Sequence, residues 1–82
     1  MKYEERNIKD FYTEEMFDYV KDIIKGVTIA YKKNDHSFII NKVIEILYYN
    51  EALPKDHVSQ FISHFFKVNK NWAINSVNEV IR

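Results

Sequence analysis

From Met16 to Ile81 bulky apolar side chains recur every three to four positions, and little punctuates them: one glycine, Gly26, and one proline, Pro54. That period belongs to helices burying one face, and so few turn residues argue against the many short strands of a β fold. The pattern predicts an all-α chain, a small bundle of about four helices. Residues 1–82 read as one domain, with the polar residues 1–10 as a flexible arm.

Thr13 is placed to cap a first helix, with Glu14 and Glu15 in its first turn, where the positive end of the helix dipole favours carboxylates. Met16, Val20, Ile23 and Val27 then follow on one face, widened by Phe17 and Ile24. Gly26 either ends this helix or is carried through it at about 1 kcal/mol relative to alanine. Val27, Thr28 and Ile29 are β-branched, but a lone strand would leave its backbone groups unpaired, so continuation to about Lys33 is expected. Asn34 and Asp35 supply the next break and cap.

Residues 38–49 are apolar nearly all round, interrupted only by Asn41, Lys42 and Glu45, so this helix is expected in the middle of the bundle. After a loop over residues 50–53, Pro54 suits the first turn of a third helix. Val58, Phe61, Ile62, Phe65 and Phe66 mark that helix's buried face. Following a turn around residues 68–70, Asn71 is expected to cap a short last helix, with Ala73 or Ile74, Val77, Val80 and Ile81 facing inward.

Composition adds limits. At 82 residues, with 46% hydrophobic and 16% aromatic side chains, the chain has the material for a dense core. Twelve basic residues balance twelve acidic ones, so no strong field draws it to a phosphate backbone or an anionic lipid surface. Nucleic acid is therefore not the expected partner. With no cysteine, disulfides and thiolate chemistry are excluded. The charged opening lacks the apolar stretch of a secretory signal, and no apolar run approaches the length of a membrane span. A cytoplasmic location without membrane insertion is the resulting expectation.

Candidate chemistry is sparse. His57 and His64 are seven apart, roughly 10 Å along a helix, too far to share a metal ion easily, and His36 stands near a helix start. These histidines read as surface or half-buried structural groups. Asp18 and Asp22 alternate with Lys21 and Lys25 as on a solvated helix face, and no nucleophile or oriented histidine joins the carboxylates. Ser37, Ser59, Ser63 and Ser76 lack a glycine-lined elbow. A non-enzymatic protein without cofactor or metal is expected. The last two helices loosely resemble a helix-turn-helix offering Asn71, Asn75, Asn78 and Arg82 to base edges, but the turn lacks glycine and few basic residues flank it.

The aromatic content points elsewhere. Six tyrosines, six phenylalanines and Trp72 exceed what so small a core readily uses, and tyrosine and tryptophan give large contact areas at low entropic cost. Tyr48, Tyr49, Phe66 and Trp72 are the candidate partner-binding residues. Self-association is left open.

The start MKYEERNIKDFYTEE, the segments KVIEILYYN and FFKVNKNWAIN, and the length of 82 are together similar to the rapid-lysis III family of T-even bacteriophages. That resemblance spans the chain and implies a non-enzymatic antiholin. Such a protein acts in the host cytoplasm on the cytosolic N-terminal segment of the phage holin and delays lysis. A second likeness joins IKDFYTEEMFDYVKDII to the first helix of colicin-type immunity proteins, four-helix inhibitors. The acidic second helix and the tyrosine turn of that family are missing here, since Asn50 and Glu51 follow Tyr48 and Tyr49.

Overall fold

The computed structural model of the protein describes residues 12–31 and 36–81. The expected arm over residues 1–10 and the expected break at Asn34 and Asp35 lie outside them. Four helices form, and no strand is present among the described residues: α1 (Glu14–Tyr31), α2 (His36–Glu45) running on into a π-helical turn (Ile46–Asn50), α3 (Lys55–Phe66) and α4 (Lys70–Val80). The all-α bundle expected from the periodicity is the architecture found.

Thr13 caps α1 as its sequence position suggests. Its carbonyl accepts from the amides of Met16 and Phe17, and its hydroxyl oxygen also accepts from the Met16 amide, at 3.3 Å. The helix passes straight through Gly26, where a Cβ would meet nothing within 4 Å. Val20 and Val27 are buried, Met16, Phe17, Ile23 and Ile24 pack partly against the core, and Asp18, Lys21, Asp22 and Lys25 stand in solvent.

α2 contacts α1, α3 and α4, because it alone is apolar on almost every side. Ile39, Ile40, Val43 and Ile44 are buried along it, and Leu47 continues the core into the π-turn. There the chain widens by one residue. The Glu51 amide donates to the Ile46 carbonyl at 3.1 Å and the Leu53 amide to the Leu47 carbonyl at 3.0 Å, spanning five and six residues. Ala52, at φ 55°, reverses the chain, and buried Leu53 seals the end as the apolar residue after a left-handed cap does.

Two boundaries differ by one or two residues from expectation. Pro54 precedes α3 rather than lying in its first turn: its carbonyl accepts from His57 and Val58, and the helix opens at Lys55. At α4 the cap is Asn69, not Asn71. The Asn69 side chain accepts from the Asn71 amide at 2.8 Å, so Asn71 is already inside the first turn. Lys67 closes α3 in the left-handed region (φ 56°), and the Ser63 hydroxyl donates to the Val68 carbonyl at 2.8 Å, fixing the tight turn between α3 and α4. Ala73 rather than Ile74 faces inward, with Val77 and Ile81.

Phe61 sits at the centre, fully buried. Tyr12 and Phe17 bring ring centroids to 5.1 and 5.2 Å from it, and Phe65 stacks at 6.3 Å. These contacts tie α1 to α3. Among the described residues, no buried side-chain nitrogen or oxygen lacks a hydrogen-bond partner.

Candidate functional site

The end of α1 and the second half of α2 enclose an open depression of about 350 Å³ lined by Tyr31, Lys42, Glu45, Ile46, Tyr49 and Asn50. Helix geometry assembles most of it. Lys42, Glu45, Ile46 and Tyr49 are spaced at i, i+3, i+4 and i+7 and so share a face of α2 and its π-turn. Tyr31 enters from α1, four residues beyond buried Val27.

Charge and aromatic contacts fix the rim. The Lys42 ammonium lies 3.3 Å from a Glu45 carboxylate oxygen, 6.0 Å from the Tyr31 ring centroid and 5.8 Å from that of Phe38. The Tyr31 and Phe38 rings meet edge to face at 5.1 Å. The Tyr48 ring stands edge-on to Tyr49 at 5.0 Å, and Tyr49 itself is 60% exposed. Tyr31 is 45% exposed. Two phenol rings thus line a cleft together with the apolar Ile46 and a cation, Lys42, paired with the Glu45 carboxylate.

The residues marked from sequence fall at three places. Tyr49 lines the depression, and half-buried Tyr48 supports it. Phe66, half-buried at the end of α3, and Trp72, 42% exposed on α4, do not line it. Tyr31 and Lys42 are members that the sequence does not single out. A signal for Tyr31 exists all the same, because the stripe Val20, Ile23, Val27 extended by four more positions reaches it.

A second polar constellation joins α1 to the rest. The Tyr12 hydroxyl and His57 Nδ1 share a hydrogen bond of 2.6 Å, with their rings edge to face at 5.2 Å. Burial pushes the Tyr12 phenol above its ordinary value of 10.0. The Tyr19 hydroxyl donates to Glu51 at 2.9 Å; this bond, followed by the carboxylate's charge, raises the Tyr19 phenol as well. His64 stands exposed against Phe17 and Phe65, at 5.3 and 4.9 Å. No group of three or more histidine, aspartate or glutamate side chains among the described residues is placed to hold a metal. No helix among them is long and apolar enough to cross a membrane.

No family model, curated protein or solved structure matches the chain.

Proposed function

We propose that this chain is a non-enzymatic module that binds a segment of another protein at the depression beside the π-turn. Within that class it acts as a cytoplasmic antiholin: it holds the cytosolic N-terminal segment of a phage holin and delays lysis. The observation that carries the docking site is the pair of exposed phenols, Tyr31 and Tyr49, lining one open depression. π-turns recur at functional sites, and large aromatic side chains dominate the energetics of protein interfaces. The holin as partner rests on the likeness to the rapid-lysis III proteins.

A titration of purified protein with a synthetic peptide of the holin's cytosolic N-terminal segment tests this reading. Saturable binding that Tyr49→Ala weakens by about tenfold or more supports it. Absence of binding, together with unchanged lysis timing when the gene is deleted, removes it.

A DNA-binding reading has one observation in its favour. α3, the three-residue turn 67–69 and α4 follow the order of a helix-turn-helix, and α4 exposes Asn71, Asn75 and Asn78 on one face. Retarded migration of duplex DNA at micromolar protein, lost steeply with salt, would favour it over the protein-segment reading.

A further inference from the structure

The single glycine of the chain stands where the fold makes no use of it. Gly26 has helical backbone and open space around it, whereas among the described residues the positive-φ positions are taken by Ala52 and Lys67. A glycine inside a helix weakens it severalfold relative to alanine. The next three residues weaken α1 further. Val27, Thr28 and Ile29 are poor helix formers, and the Thr28 hydroxyl donates to the Ile24 carbonyl at 2.8 Å, a back-bond that competes with the helix ladder. Val27 is the last buried residue of α1. Thr28, Ile29, Ala30 and Tyr31 are all exposed, Ile29 at 70%. The Tyr31 ring fastens this final turn to the rest of the fold, through Phe38 and the Lys42 ammonium.

We propose that residues 28–31 form a hinged final turn carrying Tyr31 as one wall of the depression: it opens just beyond Val27, where Gly26 weakens the helix, while Val27 and the core stay folded, and Tyr31 closing on Phe38 restores it. A wall of this kind lets the cleft adjust to its occupant, which shifts the open and closed populations by its preference for one of them. The link to an occupant rests on the docking site proposed above. The hinge itself does not.

Native-state hydrogen exchange of the full chain decides it. The amides of residues 29–31 are expected to exchange much faster than those of residues 20–24, and Gly26→Ala to slow them by about fivefold, the ratio corresponding to about 1 kcal/mol. Tyr31→Ala is expected to speed them while leaving α3 protected. Equal protection along α1, or exchange at residues 29–31 insensitive to Gly26→Ala, would overturn the hinge. With the holin peptide added, slowed exchange at residues 29–31 supports the coupling, and binding with unchanged exchange overturns it while leaving the docking site standing. Failure of the peptide to bind removes the docking reading instead, and the free protein's exchange still decides the hinge.

Discussion

At the scale of single residues, backbone conformation and residue type are mismatched in an informative way. Ala52 and Lys67 occupy the left-handed region, which costs a side-chain-bearing residue roughly 1–2 kcal/mol. Both are exposed, so glycine there would lose little packing. Ala52→Gly and Lys67→Gly are each expected to stabilise the fold by about 0.5–1 kcal/mol after the entropy of the unfolded glycine is counted, seen as a higher urea midpoint at unchanged slope. Protonation offers a second test. The Tyr12 and Tyr19 phenols both hold their protons more tightly folded than unfolded. Their contribution is therefore complete below about pH 10 and is lost as pH rises from there through the raised folded values. Urea midpoints measured at successively alkaline pH should fall over that window, and Tyr12→Phe should flatten part of the decline.

At the scale of elements, each helix rests on a few local interactions that can be removed singly. Asn69→Ala deletes the side-chain acceptor for the Asn71 amide and is expected to cost about 1 kcal/mol, read from denaturant unfolding followed by far-ultraviolet circular dichroism. The helices themselves are legible in the amino-acid order, since the buried faces of α1, α2 and α3 match the apolar periodicity nearly residue for residue. The cap of α4 is less so: Asn69 and Asn71 are both good capping residues, and choosing between them depends on where Lys67 turns the chain. The π-turn leaves no mark at all, because one extra residue at a helix end barely disturbs an apolar pattern over five positions. Gly26 is ambiguous for a related reason. Propensity alone allows a helix to stop or continue there, and continuation is decided by Val27 packing into the core beyond it. Of the depression's lining, Tyr49 can be marked from its neighbourhood, but Tyr31 joins Lys42 and Tyr49 there only once α1 lies beside α2.

At the scale of the whole molecule, one ring ties the start of the chain's first helix to α3. Phe61→Ala removes the side chain on which Tyr12, Phe17 and Phe65 converge, and a buried phenylalanine lost in this way costs about 3–5 kcal/mol. A domain of this size has only about 5–15 kcal/mol in hand, so the variant is expected to melt at least 12 °C lower, taking about 4 °C per kcal/mol for a small domain, or to be unfolded outright, by thermal circular dichroism. Much of the packing joins consecutive helices, α1 to α2 and α3 to α4, with α2 in the middle touching all the others. Such wiring asks the polymer to close only short loops before its enthalpy is recovered. Refolding from denaturant should accordingly finish within microseconds to milliseconds, quick enough that the nascent polypeptide becomes competent almost as soon as the ribosome lets it go.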